Sequence, residues 1–320
     1  MALELKKAQR TKAKLKLGIS APSGGGKTLG ALLIAYGLMQ EKYPVLPENE
    51  LWGKIAIIDT ENGSGELYVG KEIANVKIGQ YNAITLEPPF EADKYIDAIK
   101  LCKKADMEVA IIDSTTHLWA GEGGLLQKQG EIAKRTGNSY TAWRDVTPQH
   151  NHFVDTMLQT DMHIIATMRS KVDYIQEKDG NGKTTIRKVG LAPIQKEGME
   201  FEFTLFLDIN TDHEAFVSKD RTSIYDQKTF KITPEIGATL MRWLESGTDG
   251  AKTVVATAIK AADLSDAVKG LKKEISKLFK EATPEKQEEF KSVFAELGNP
   301  NETTDPDVMK NILDKMKENN

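Results

Sequence analysis

The sequence predicts an α/β fold with a mainly parallel central sheet, followed by a small all-helical domain. Three observations carry that reading. Runs such as Ile55-Ala56-Ile57-Ile58 and Val109-Ala110-Ile111-Ile112 are apolar on both faces, as strands buried on two sides must be. Strand-like and helix-like stretches alternate, which is the α/β signature. Beyond Glu245-Ser246-Gly247-Thr248-Asp249-Gly250, a linker by composition, the chain turns Lys/Glu-rich with helical periodicity.

In chain order, residues 1–16 carry Lys6, Lys7, Arg10, Lys12, Lys14 and Lys16 against one acid, Glu4. Residues 1–11 are expected to be a basic, solvated arm; the alternative is a phosphate-backbone or subunit contact. The main body spans 12–247. Strands are expected at Leu15–Ser20, Lys54–Asp59, Glu108–Asp113, His163–Thr167, Glu202–Ile209 and Glu214–Val217, and helices at Lys27–Gln40, Ala92–Lys104, Leu125–Lys134 and Pro148–Gln159. Between Lys171 and Lys188, Asp179-Gly180-Asn181-Gly182 supplies the positive φ of a hairpin turn. Residues 252–320 are expected as a helical domain. Thr283-Pro284 and Asp305-Pro306 read as helix starts and Gly298 as a stop, and Phe290, Val293, Phe294 and Leu297 form an apolar stripe.

Composition narrows the function. The 320 residues favour two domains. Lys+Arg is 43 and Asp+Glu 47, a net charge of −4, which excludes a polycation-type nucleic-acid binder and leaves room for local basic patches. No apolar stretch reaches the ~18 residues of a membrane helix, and the charged N-terminus carries no secretory pattern. Cys102 is the single cysteine. It excludes a disulfide framework and most zinc sites, and it fits a reducing cytoplasm. His150 and His152 are expected as surface histidines, with no third metal ligand nearby.

The chemistry concentrates in Ala21-Pro22-Ser23-Gly24-Gly25-Gly26-Lys27-Thr28, between a predicted strand and a predicted helix. Ser23, Gly24, Gly25 and Gly26 let backbone N–H groups converge on an anion, and the helix N-terminus aims its dipole at the same point. Lys27 can reach the β- and γ-phosphates, and the Thr28 hydroxyl can ligate Mg²⁺. Ala21 replaces the first glycine of this phosphate-loop pattern. Asp113 ends an apolar strand and is the expected second metal-side residue. Ser114 follows it, where AAA+ proteins usually carry a glutamate, which argues against that class. Glu61, just beyond the strand ending at Asp59, is the candidate to orient or deprotonate the attacking water; the alternative is a solvent-facing loop acid.

This order resembles the RecA-like ATPase core over about residues 12–222. The resemblance implies Mg-dependent ATP hydrolysis. It puts a γ-phosphate sensor on Thr167 or Met168, where RecA has glutamine. More narrowly, Thr167-Met168-Arg169-Ser170-Lys171, Lys188-Val189-Gly190-Leu191-Ala192-Pro193 and Val217-Ser218-Lys219-Asp220-Arg221-Thr222 look like the phage-encoded RecA-like ATPases, often described only as AAA-family proteins. Some of these act in recombination as single-strand annealing ATPases with a single-strand-binding protein. The same likeness makes Lys219 and Arg221 candidates to reach a neighbouring subunit's nucleotide, in a ring or filament; the alternative is a charged turn.

Two segments are candidates to touch single-stranded DNA. One is a predicted loop with Arg135, Tyr140, Trp143 and Arg144; the other is the hairpin with Lys171, Lys183 and Arg187. Cations serve phosphates and aromatic faces serve bases. The alternative in both is a solvated basic surface. The expected function is thus ATP hydrolysis coupled to single-stranded DNA in phage recombination or replication. The rival is a nucleotide-gated assembly protein with no functional DNA contact.

Overall fold

The computed structural model describes residues 5, 7–178, 184–248, 270–300, 303 and 306–318. The chain divides into two compact units, 1–247 and 248–320.

The first unit is a sheet covered on both faces. In chain order it contains β1 (Lys16–Ala21), α1 (Lys27–Lys42), α2 (Glu48–Gly53), β2 (Ile55–Asp59), β3 (Glu72–Ile73), β4 (Val76–Lys77), β5 (Asn82–Thr85), α3 (Ala92–Lys104), β6 (Val109–Asp113), α4 (Thr115–Ala120), α5 (Leu125–Thr136), α6 (Ser139–Gln159), β7 (His163–Lys178), β8 (Thr184–Pro193), β9 (Leu205–Ile209), β10 (Ala215–Asp220), β11 (Thr229–Phe230) and α7 (Pro234–Glu245). Strand order is β11-β10-β9-β1-β7-β6-β2-β5, with β8 paired to β7. The pairs of β1 with β7 and β9, β6 with β7 and β2, and β2 with β5 are parallel; β10 and β11 add an antiparallel flank. Odd-numbered strand residues, Ile55, Ile57, Val109 and Ile111 among them, pack with α1, α2 and α7. Even-numbered Ala56, Ile58, Ala110 and Ile112 pack with α3, α5 and α6. Strands apolar on both faces are therefore central, as their pattern requires.

Three segments depart from expectation. Residues 134–144 are not a loop: α5 runs to Thr136, and α6 starts at Ser139 because the Asn138 side chain accepts from the Tyr140 and Thr141 N–H groups, an N-cap. Pro148 lies inside α6 rather than at its start. Met199–Glu202 forms a 3-10 turn, so β9 begins only at Leu205. The basic arm also docks from Arg10 onward. Arg10 donates to the Trp243 carbonyl at 2.7 Å with its guanidinium 4.6 Å from that indole, and Lys12 pairs with Glu245 at 3.3 Å. Residues 1–4 and 6 lie outside the described residues.

At the N-terminal edge of the sheet, Glu108 accepts from Lys42 at 2.8 Å and from the Tyr43 hydroxyl at 2.5 Å, with Lys14 at 3.5 Å. Burial pushes its carboxyl up, and the Lys42 and Tyr43 hydrogen bonds with the two lysine charges outweigh that and bring it down to about 2. The folded value lies below the unfolded one. The stabilisation is therefore present above about pH 4.3 and disappears as pH falls toward 2. Glu108→Gln is expected to cost about 1–3 kcal/mol at pH 7 and little at pH 2, measured by urea unfolding at both.

The second unit has helical residues 270–281, designated α8, then α9 (Pro284–Leu297) and α10 (Pro306–Glu318). The Thr283 side chain caps α9 by accepting from the Lys286 N–H. Ile275, Phe290, Met309, Ile312, Leu313 and Met316 form its own core. Residues 252–269 and the start signal at Asp305 lie outside the described residues.

Candidate active site

The phosphate loop joins β1 to α1 at the C-terminal edge of the sheet. Gly24 and Gly26 have φ of +79° and +88°, open to glycine without strain. Ala21 is buried in extended β1, where a Cβ is harmless; a Cβ on Gly25 would come within 3.0 Å of the Ala21 methyl. No side chain caps α1 and its first turn holds no acid. Its leading N–H groups thus stay available to an anion. Lys27 and Thr28 are buried beside them.

Asp113, at the tip of β6, sits in register with Asp59 at the tip of β2. The Asp113 carboxylate is buried and accepts the Thr28 hydroxyl at 2.5 Å on one oxygen and the Thr167 hydroxyl on the other. Burial holds its pKa above the ordinary value, against the Thr167 and Thr28 hydrogen bonds and the Lys27 charge. A hydroxyl next to a desolvated carboxylate is a hard-oxygen donor set, which fits Mg²⁺. Thr167 is thus a partner of Asp113.

Glu61 is held at the same edge by local turns. The two Asp59 oxygens accept from the Glu61 N–H at 2.8 Å and the Gly63 N–H at 2.6 Å. The Ser114 N–H donates to the Thr60 hydroxyl at 2.8 Å, tying the β2 and β6 exits together. The Glu61 carboxylate accepts from the Ser114 hydroxyl at 3.0 Å and from Arg169, whose Nε lies at 3.0 Å and whose terminal nitrogen takes the second oxygen. Burial pushes this carboxyl up; the Arg169 hydrogen bonds, the Lys27 and Arg169 charges and the Ser114 hydroxyl overcome that and leave it below its ordinary value.

Arg169 was missed in the sequence reading. It lies two residues beyond Thr167 on β7, on the same strand face, which is the signal that marks it. Its N–H donates to the Thr116 hydroxyl at 2.8 Å. His117 was missed too: its ring nitrogen is 2.7 Å from the Thr60 hydroxyl and it stacks on Phe90. So was His213, with Nδ1 3.3 Å from the Gly25 carbonyl.

The remaining residues lie elsewhere. Lys219 on β10 and Arg221 after it both donate to the Phe201 carbonyl, Arg221 at 3.3 Å. Burial and the Arg221 charge lower the Lys219 pKa. Arg135, Tyr140 and Arg144 are exposed at the α5–α6 tip, Tyr140 at 88%. Trp143 stacks on Trp119 with centroids 5.6 Å apart, so one of its faces is taken. Lys171 is exposed on β7 and Arg187 lies on β8; Lys183 lies outside the described residues. His150 is buried rather than on the surface, edge-on to Trp119, and burial brings it down to about 4. Among the described residues no cluster fits a metal through His, Cys, Asp and Glu alone, and no helix is long and apolar enough to cross a membrane.

A phosphate loop at the end of β1 and an acid at the tip of β6, two strands away, define a P-loop nucleotide-binding domain. The family described as AAA domain matches residues 13–233, and the chain belongs to it. Ser114 follows Asp113 directly, and the glutamate to which it donates lies instead beyond β2. The KaiC-like protein of the hyperthermophilic archaeon Pyrococcus horikoshii OT3 is similar at 14% identity and a TM-score of 0.36, over 69% of this chain and 87% of that one. No curated protein sequence matches significantly.

Proposed function

We propose that this chain is a Mg-dependent ATPase that works on single-stranded DNA as a homo-oligomer, in phage recombination or replication in the host cytoplasm. A single-strand-binding protein is its proposed further partner. The observation that carries the ATPase reading is the shared edge of Lys27, Thr28, Asp113 and Glu61. The loop amides and Lys27 bind the triphosphate. Thr28, backed by Asp113, would hold Mg²⁺, which would supply charge neutralisation of the triphosphate. Glu61 orients the attacking water and accepts its proton. That carboxylate is engaged by Arg169 and Ser114. A γ-phosphate competes for the Arg169 guanidinium and leaves Glu61 free. Lys219 and Arg221 act on the triphosphate of a neighbouring subunit, where such cations are worth ~10³–10⁵ in rate.

The DNA reading rests on exposed Tyr140 among Arg135 and Arg144, and on Lys171 at the root of the β7–β8 hairpin. The Trp119–Trp143 stack favours the rival, a nucleotide-gated assembly protein, because it withdraws one aromatic face from base stacking. ATP turnover measured with and without an oligonucleotide, across a salt series, separates them. Stimulation that declines as salt rises is expected; turnover indifferent to DNA at every salt concentration establishes the rival.

A further inference from the structure

The Ser114 hydroxyl that meets Glu61 at 3.0 Å belongs to a residue held by its main chain. Its N–H donates to the Thr60 hydroxyl oxygen at 2.8 Å, and its carbonyl accepts the Tyr95 hydroxyl at 3.2 Å. Thr60 is buried and has one proton to give. The acceptors facing that proton are the His117 Nδ1 at 2.7 Å, the Asp113 carbonyl at 3.2 Å and the Ser114 carbonyl at 3.3 Å. The ring nitrogen is the nearest, so the Thr60 proton goes to His117. Nδ1 can accept it only in the neutral tautomer that carries its hydrogen on Nε2.

The surroundings of His117 favour that neutral form. The ring is half-buried on α4 and stacks on Phe90 with centroids 5.0 Å apart. The charges around it are Glu61 from beyond β2, Asp113 from β6, Arg169 from β7 and Lys27 from α1, two acids against two cations. Burial is the largest influence and holds the ring below its ordinary value of 6.5. A charged ring would carry a proton on Nδ1 and donate to Thr60 instead. The Thr60 proton would then turn to the longer carbonyl contacts, and its oxygen would be shared between two donors. A new cation near Glu61 would also make that carboxylate a weaker base.

We infer that His117 is a positioning residue for Glu61: through the Thr60 hydroxyl and the Ser114 main chain, its neutral ring holds the Ser114 hydroxyl on that carboxylate and sets an acid limit to turnover. No proton travels along this chain of groups; what passes along it is orientation. The inference rests on the reading of Glu61 as the water-activating group. Its pH sign follows from the depressed ring value: the ring is mostly neutral at neutral pH, and turnover falls as pH drops below 6.5 and the ring takes its proton.

Steady-state ATP turnover of the full chain across about pH 5–8 tests it, with equilibrium ATP binding measured alongside. His117→Phe keeps a flat ring against Phe90 and removes the nitrogen. His117→Asn gives up the stack and offers a non-titrating amide oxygen where Nδ1 stood. Thr60→Val removes the hydroxyl at nearly constant shape. His117→Phe and Thr60→Val are each expected to lower kcat by up to about 10²-fold with ATP affinity unchanged. Together they are expected to cost no more than either alone, because they cut the same chain of contacts. His117→Asn is expected to restore most of kcat and to move the acid limb to lower pH. A purely structural ring gives the opposite ranking, phenylalanine above asparagine, with the limb unmoved. That ranking, an unchanged kcat in His117→Phe, or additive losses in the double variant overturns the inference. Thermal melting checks folding, and His117→Leu and Thr60→Ala replace any variant that does not fold. Glu61→Gln separates the two readings. Slow turnover there beside full turnover in His117→Phe discards the positioning role and keeps Glu61. A wild type without turnover, or Glu61→Gln at the wild-type rate, discards the Glu61 reading and the positioning role with it.

Discussion

Replacing Glu61 with glutamine is expected to leave ATP bound and to slow its hydrolysis about 10²–10⁴-fold. Glutamine preserves the shape of the side chain and can still accept from Ser114 or Arg169, so the turns set by Asp59 remain. What disappears is the proton acceptor. Steady-state turnover and equilibrium ATP binding, measured on the same protein, separate the two effects. Turnover at the wild-type rate would assign water activation to another group. The pH dependence follows from the direction of the shift: the carboxyl lies below its ordinary value, so the base is already more than half ionised at the ordinary carboxylate pKa of about 4.3. Its protonation limits turnover only in more acid solution.

Replacing Lys27 with alanine is expected to weaken triphosphate binding by about 2–5 kcal/mol, roughly 30- to 5000-fold in Kd. Lys27 is buried among the loop amides and is one of the charges acting on both Glu61 and Asp113. Its removal leaves the phosphates without their nearest cation and leaves two acids less balanced. The backbone of the loop, set by Gly24 and Gly26, stays in place. Titration calorimetry with ATP measures the loss directly. An unchanged Kd would move the triphosphate away from this loop.

Much of this site was legible because its parts are local. A glycine run between a strand and a helix needs only neighbouring residues to announce itself; Asp113 closes one short apolar run, and Glu61 lies two residues past the Asp59 that closes another. Ala92–Lys104 was bounded correctly by its amphipathic spacing. The failures share another cause. Arg169 matters through Glu61, 108 positions away, and no spacing rule links an arginine after β7 to a glutamate after β2. The α5–α6 tip combines basic and aromatic residues around Gly137-Asn138, a composition that suits a loop. The Asn138 cap restarts the helix at once, and Ala142, Val146, His150, Phe153 and Met157 keep one buried face past the proline. His150 looked like a surface residue because its burial comes from Trp119, on another helix. The edge strand β5 is short and mostly exposed, so it lacks the apolar run that revealed its neighbours.

Strand β7 does not end at the nucleotide edge. It carries Thr167 and Arg169 past the phosphate loop and continues unbroken to Lys178. At ~3.3 Å per residue, the nine residues after Arg169 extend about 30 Å. Arg169, the partner of the Glu61 carboxylate, and the outer arm of the hairpin are therefore parts of one strand. The far arm and the Glu61–Arg169 pair thus belong to one continuous stretch of backbone, with no loop between them.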